Sequence, residues 1–151
     1  MTDDLLLSFD VGCGAEHAFT TWTQRMSAWW PRDHTMSGAP GVEVVLEPRV
    51  GGRIFERAPD GSELDWGEVT AWEPPRRLGY LWHIGAGRAD ATDVEIAFHP
   101  LDARTTRVEI RHGGWERLGE DTRHRRRGLN VHGWEVTISA YRDACAGATT
   151  A

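Results

Sequence analysis

Apolar and polar residues alternate along much of the chain, and this pattern predicts a domain rich in β-strands. Between residues 5 and 11, apolar side chains occupy every second position, which is typical of a strand buried on one face. The same alternation runs through residues 49–82 with large aromatic residues, interrupted by glycine and proline turns. About seven antiparallel strands are predicted, at residues 5–11, 42–48, 52–57, 63–72, 78–82, 92–99 and 105–113.

Helical spacing replaces this alternation at two places in the chain. Residues 15–23 place Ala18, Phe19 and Trp22 on one face of a short helix, and a second helical turn runs to Trp29. The polar segment at residues 31–41, which contains Pro31 and ends in glycine, is predicted to be a loop. Trp30 therefore lies beside a flexible stretch.

The end of the chain predicts one long amphipathic helix, beginning near Asp121 or Thr122, either of which can cap its first turn. Extended backwards, its apolar stripe reaches Arg127 and His124, so one end of the buried face is polar. The stripe repeats at steps of three and four and consists of Val131, Trp134, Ile138, Tyr141 and Cys145.

These elements predict an α+β fold in which a curved sheet wraps around the C-terminal helix with space between them. At 151 residues, the chain fits a single domain over residues 1–147, with a tail at 148–151 that frays. Gly128 and Gly133 each weaken the helix by roughly 1 kcal/mol relative to alanine. We therefore expect the backbone there to approach the sheet or a bound molecule closely.

Composition narrows the possible partners. The net charge of −6 repels a phosphate backbone, so we expect no nucleic-acid binding. Acidic residues near the start and the short apolar run after them exclude a secretory signal and a membrane span, which predicts a cytoplasmic protein without membrane insertion. Cys13 and Cys145 form no C-x-x-C motif and are expected to be reduced. Eight tryptophans favour a roomy pocket lining or an interface.

Several segments resemble a known family: FTTW, the pair Trp29 and Trp30, VGGRIFE, WGEVTAWEPPRRLGYLW and HGW. In this order they are similar to the small bacterial proteins related to the heat-shock-protein-90 ATPase activator, within the START and birch-pollen-allergen superfamily, also called SRPBCC. The resemblance implies the helix-grip fold: a seven-stranded antiparallel sheet curved around the C-terminal helix, two short helices after strand one, and a cavity that in many relatives holds an apolar small molecule. The chain lacks the N-terminal region that eukaryotic activators use on the chaperone, so chaperone activation is not expected.

The cavity wall is predicted from the bulky side chains of the strands and the last helix, although packing of the core is the alternative for each residue. Close packing does not tolerate the gaps that so many large side chains leave, and such gaps are where ligands lie. The predicted cavity residues are Trp30, Trp66, Glu68, Tyr80, Trp82, Phe98, His112, Trp134, Ile138 and Tyr141.

Glu68 and His112 are the candidate acid and base if the protein is an enzyme. If their strand faces point inward, burial shifts their pKa values towards those needed for proton transfer. The alternatives are an edge position for Glu68 and a hydrogen-bonded structural role for His112. Strand parity alone does not choose the inward face, because a β-bulge reverses it.

Other motifs argue against metal and cofactor sites. No H-E-x-x-H is present, and His124 and His132 are eight residues apart, so no metal is expected. Gly85-Ala86-Gly87 lacks the third glycine of a dinucleotide loop, and no Walker sequence or nucleophile elbow occurs, so no cofactor is predicted. The cluster at residues 123–127 is either an anion site or, as we favour, a solvated face offset by nearby acids.

Three functions remain open at this stage. The first is binding of a small hydrophobic molecule, aromatic or lipid-like, between the sheet and the last helix. The second is an enzyme of the cyclase, aromatase or dehydratase kind, using Glu68 or His112 with Tyr80 or Tyr141 as a hydrogen-bond donor. The third is an interaction module that contacts a chaperone or forms a homodimer. The first two require a hollow large enough for a guest.

Overall fold

Seven strands and three α-helices make up the part of the chain that the computed structural model describes, residues 4–84 and 86–147. The predicted tail at residues 148–151 and Gly85 of the Gly85-Ala86-Gly87 segment lie outside this part. In chain order the elements are β1 (Leu5–Val11), α1 (Ala15–Thr23), α2 (Met26–Trp29), β2 (Glu43–Leu46), β3 (Arg53–Arg57), β4 (Glu63–Glu73), β5 (Arg77–Trp82), β6 (Thr92–Asp102), β7 (Thr105–Gly113) and α3 (Glu120–Gly147).

The strands form one open antiparallel sheet in the order β1-β7-β6-β5-β4-β3-β2. Alternation of side chains sets its two faces: Leu7 pairs with Ile110 and Phe9 with Val108 on the core side, while Ser8 pairs with Glu109. With the long C-terminal helix and two short helices after the first strand, the predicted α+β helix-grip fold is confirmed.

Aromatic side chains join the helices to the sheet at the C-terminal half of α3. The Trp22 ring lies 4.7 Å from that of Tyr141 and 5.3 Å from that of Trp29, measured between centroids. The Tyr141 hydroxyl donates a hydrogen bond to the Ala18 carbonyl at 2.7 Å, so α1 and α3 are tied together inside the core. This aromatic cluster closes the core between α1, α2 and the C-terminal half of α3.

Two register shifts change which face β4 presents. Ile54 pairs with Gly67 and Phe55 with Asp65, so Trp66 is an extra residue opposite β3, and a second shift follows Val69. Strict alternation along residues 63–72 predicts that Trp66 and Glu68 share one face with Leu64, Thr70 and Trp72, and the two shifts show that this prediction is wrong. Trp66 and Val69 are buried, whereas Glu68 forms an ion pair with Arg88 at 3.0 Å and Thr70 is exposed.

Glycine at position 67 permits this bulge. A Cβ atom there would overlap the carbonyl oxygen of Leu81 on the neighbouring strand. The close approach of β4 and β5 therefore depends on the absence of a side chain.

The buried face of α3 differs from the predicted stripe in its N-terminal half. Trp134, Tyr141 and Cys145 are buried as expected, but Val131 is 41% exposed and the buried polar residue is Arg126. The predicted stripe would be buried throughout only if the sheet covered the helix along its whole length. A pocket instead separates the two near the helix start, so the residues that face it differ from those that pack on strands.

Cys13 and Cys145 are both free and buried, and the fold brings them together despite their separation in sequence. The hydrogen bond between their thiols raises the pKa of Cys145 and lowers that of Cys13.

None of the helices in residues 4–84 and 86–147 combines the length and apolar character needed to cross a bilayer.

Candidate ligand-binding pocket

A pocket of about 620 Å³ lies between β5, the loop that follows α2 and the N-terminal half of α3. This volume is in the range of small-molecule sites, about 300–1,000 Å³. Its lining residues are Trp30, His34, Thr35, Tyr80, Trp82, Ile84, Ala86, Asp90, Thr122, Arg125, Arg126, Leu129, Asn130, Gly133, Trp134 and Thr137.

The structure brings four of the predicted cavity residues to this pocket, namely Trp30, Tyr80, Trp82 and Trp134. The rings of Trp30, Tyr80 and Trp82 form a continuous aromatic wall: the Trp82 centroid lies 5.7 Å from that of Trp30 and 5.6 Å from that of Tyr80. Trp66 is fully buried directly behind this wall, 5.0 Å from Trp30. Such a wall suits the faces of a flat apolar molecule.

The other predicted cavity residues lie elsewhere. Phe98 and Tyr141 belong to the closed core, and Ile138 lines a separate hollow beside Leu7 and Phe9 of β1. Glu68 is on the outer face of the sheet because of the bulge in β4. It therefore does not reach the pocket.

His112 is fully buried behind Trp134 and does not line the pocket. Its Nδ1 accepts a hydrogen bond from the Trp134 indole at 3.0 Å, since an indole N–H only donates, and its Nε2 lies 2.7 Å from the Thr92 hydroxyl. The proton therefore resides on Nε2. Burial lowers the pKa of His112 to about 3, and the charge of Arg126 acts in the same direction. This neutral imidazole orients a pocket tryptophan.

The two tyrosines proposed as donors also differ in position. The hydroxyl of Tyr141 is bonded to the Ala18 carbonyl in the core, whereas Tyr80 lines the pocket. Burial raises the pKa of Tyr80 well above its ordinary value, against a smaller opposing effect of the Trp22 indole. Tyr80 therefore remains protonated at neutral pH and able to donate.

Glu56, which the sequence analysis missed, fixes one wall of the pocket. Its fully buried carboxylate accepts hydrogen bonds from the Trp66 indole at 2.8 Å, from the Ser37 amide at 3.0 Å and from the Met36 amide. Burial raises its pKa, but these hydrogen bonds outweigh that effect and hold the pKa below its ordinary value. The Glu56 carboxylate thus holds two parts in place: the loop that carries His34, and the ring of Trp66 behind the aromatic wall. A carboxylate on the same strand face as Ile54 was the available sequence signal.

The polar side of the pocket comes from α3 and from the turn before β6. Arg126 is 8% exposed, and its Nη1 donates a hydrogen bond to the Asp90 carbonyl oxygen. Its Nη2 is buried without a hydrogen-bond partner among the described residues. Burial lowers the pKa of Arg126, and the charge of Asp90 acts in the opposite direction.

His34 is a polar residue of the pocket that sequence patterns did not identify. His34 lines the pocket, and its Nδ1 lies 2.9 Å from the Asp33 carboxylate. The Trp30 indole donates to the carbonyl of the same residue at 3.1 Å. The only sequence signal for His34 was the position of this loop beside the tryptophan pair.

Residues 4–84 and 86–147 contain no group of three His, Cys, Asp or Glu side chains placed to hold a metal ion.

Residues 13–140 match the family model described as Activator of Hsp90 ATPase homolog 1-like protein. The chain belongs to this family. The family assignment and the sheet gripping a terminal helix agree with the resemblance found in the sequence, and the fold is the helix-grip fold of the SRPBCC superfamily. No curated protein matches the sequence.

Solved structures with this fold include proteins of different activities. The anthrahydroquino-gamma-pyrone synthase Txn09, complexed with SUM, is 29% identical, with a TM-score of 0.63 over 93% of this chain and 95% of that one. CalC from Micromonospora echinospora, a self-sacrificing resistance protein, is 24% identical, with a TM-score of 0.68 over 94% and 93%. Protein MLL2253 from Mesorhizobium loti is 20% identical, with a TM-score of 0.71 over 98% and 99%. The last two likenesses concern the fold alone.

Proposed function

We propose that this family member binds a small hydrophobic, aromatic molecule between the sheet and α3. The observation that carries the proposal is the pocket of about 620 Å³, lined by Trp30, Tyr80, Trp82 and Trp134. The name of the 29% identical synthase specifies a polycyclic aromatic product, which supports a flat ligand of this class. The pocket volume favours ligand binding over the interaction module, because only ligand binding and catalysis require a hollow large enough for a guest.

The apolar wall provides enough binding energy for a ligand of this size. Burying about 300 Å² of apolar ligand surface contributes roughly 7 kcal/mol before the cost of association. Dispersion contacts with the indole rings and a few polar anchors then give an affinity in the micromolar range or weaker.

Gly133 permits a direct test, because it lines the pocket and a Cβ atom added there meets no other atom within 4 Å. This finding also removes the expectation that the sheet approaches the backbone at this glycine. A Gly133→Leu substitution places a side chain at the pocket wall and also strengthens the helix by about 0.5–1 kcal/mol. Fluorescence titration with the neutral probe N-phenyl-1-naphthylamine should show binding to the wild type and at least about ten-fold weaker binding to this variant.

Gly128→Leu is the matched control. Gly128 is exposed on the same helix, has the same open surroundings and does not line the pocket. Both variants should melt at or above the wild-type temperature, and only the variant at position 133 should lose the probe. Equal binding by both variants, or no binding to the wild type, would contradict the proposal.

A second candidate function is catalysis at the same pocket, and the His34–Asp33 pair favours it. The carboxylate near Nδ1 orients the imidazole, and the protonated Tyr80 hydroxyl is a second proton donor in the lining. These groups replace Glu68 and His112, which do not reach the pocket. Incubation with a bacterial extract, followed by mass spectrometry, should yield an altered compound with the wild type and the same compound, bound but unaltered, with His34→Gln. Recovery of an unaltered compound from the wild type would exclude this function for that compound.

A further inference from the structure

Arg126 is the feature of the pocket that binding of a purely apolar molecule leaves unexplained. Its side chain is 8% exposed and lines the pocket, and its Nη2 is buried without a hydrogen-bond partner in residues 4–84 and 86–147. Burial of a guanidinium with unpaired N–H groups is unfavourable. An arginine held in this way therefore indicates a ligand atom that accepts from it.

The charges around the pocket favour an anion. The lining contains two arginines, Arg125 and Arg126, and one acid, Asp90, whereas the whole chain carries a net charge of −6. Arg126 keeps its charge at every physiological pH. A locally positive pocket in an acidic protein attracts anions of small size rather than long polyanions.

The structure also divides the arginine cluster at residues 123–127, for which a solvated face was the favoured interpretation. Arg125 and Arg126 line the pocket, but Arg123 does not. The cluster is therefore not one uniform surface, and a single member of it is buried.

We propose that the ligand is an aromatic acid whose anionic oxygen accepts a hydrogen bond from the Arg126 guanidinium while its rings lie against Trp82 and Trp134. This inference rests on the proposed function and specifies the chemistry of its ligand. The guanidinium carries a permanent charge and donates strong hydrogen bonds to anionic oxygens such as those of a carboxylate, a phenolate or a sulfonate. The aromatic wall and the single buried cation together select molecules that are flat and apolar with an acidic group at one end.

Two fluorescent probes with the same anilinonaphthalene frame test this inference. 8-Anilinonaphthalene-1-sulfonate carries one sulfonate, and N-phenyl-1-naphthylamine carries none. The wild type should bind the sulfonate more tightly, although it is the less apolar of the two. Arg126→Gln should weaken binding of the sulfonate by about 10-fold or more, since a charged hydrogen bond is lost, and should change binding of the neutral probe by less than about two-fold.

Arg123→Gln removes the same charge from the same helix outside the pocket, and Gly133→Leu shows whether a probe occupies the pocket. A loss of sulfonate affinity in Arg123→Gln as large as in Arg126→Gln would overturn the inference, because general charge would explain it. If the wild type binds the neutral probe at least as tightly as the sulfonate, and Gly133→Leu blocks it, the acid specificity is wrong while the proposed function stands. If neither probe binds the wild type, both fail. The relative affinity of the wild type for the two probes tests the acid specificity even if Arg126→Gln does not fold.

Discussion

Among single residues, two buried polar side chains shape the pocket by holding tryptophan indoles in place. His112 accepts from Trp134, and Glu56 accepts from Trp66 and from the loop before β2. Alternation placed the aromatic residues on strands, but it did not show which polar residues were buried. Glu68 was selected because it follows Trp66 by two positions, and the bulge between them reverses its direction.

The pKa of His112 leads to a prediction about stability and pH. Burial depresses it from 6.5 to about 3, so the folded protein holds this imidazole neutral while the unfolded chain protonates it as the pH falls below 6.5. The stabilising contribution is therefore complete above pH 6.5 and is lost as the pH falls towards 3. Between pH 7 and pH 5 the free energy of unfolding should decrease by about 2 kcal/mol from this residue alone.

Urea denaturation of the wild type and of His112→Asn at both pH values measures this effect. Asparagine does not titrate and retains an acceptor for Trp134, and the contributions of the other histidines cancel in the comparison. The decrease should be about 2 kcal/mol smaller in the variant. An equal decrease in both proteins would mean that the imidazole is charged in the folded state.

At the scale of elements, the strands and the long helix follow from periodicity, whereas their irregularities do not. Glycine and proline turns marked the ends of predicted strands, and β2 to β7 each lie beside their neighbours in the sequence, while β1 pairs with β7. The start of α3 at Glu120 lies next to the predicted cap at Asp121. The loop at residues 31–41 has no periodic pattern, so its role as a pocket wall was not predictable. Its position depends on a carboxylate from β3.

The attachment of this loop to Glu56 can be measured. Glu56→Gln replaces one acceptor oxygen by an amide group that opposes a backbone N–H, which should cost about 1–3 kcal/mol locally. Hydrogen exchange of the Met36 and Ser37 amides should become roughly 10-fold faster or more, while amides of β6 and β7 keep their rates.

Glu47→Gln is a suitable control for this experiment. Its carboxylate also accepts from a backbone amide, that of Arg53 at 2.7 Å, but away from the loop. It should leave the Met36 and Ser37 rates unchanged. Unchanged exchange at both amides in Glu56→Gln would show that the loop is held by other contacts.

At the scale of the whole molecule, the space between sheet and helix is divided in two. Aromatic rings around Trp22 and Tyr141 fill the core beside the C-terminal half of α3, where a separate hollow remains towards β1, and the candidate pocket lies at the N-terminal half. The sequence predicted a sheet gripping a helix with space between them. It did not predict where that space lies, because the division depends on how the indole rings of α1, α2 and α3 pack against one another. The only indication in the sequence of where the space lies was the lower apolar content of α3 near Arg126.

The tryptophans themselves can report whether a guest molecule binds beside the N-terminal half of α3. Two-dimensional NMR of the indole N–H signals during titration with N-phenyl-1-naphthylamine is the most direct measurement. The signals of Trp30, Trp82 and Trp134, which line the pocket, should shift, while that of Trp72, which packs on Phe19 away from the pocket, should not. Shifts centred on Trp72, or no change in any of the three pocket signals at saturating probe, would contradict the account.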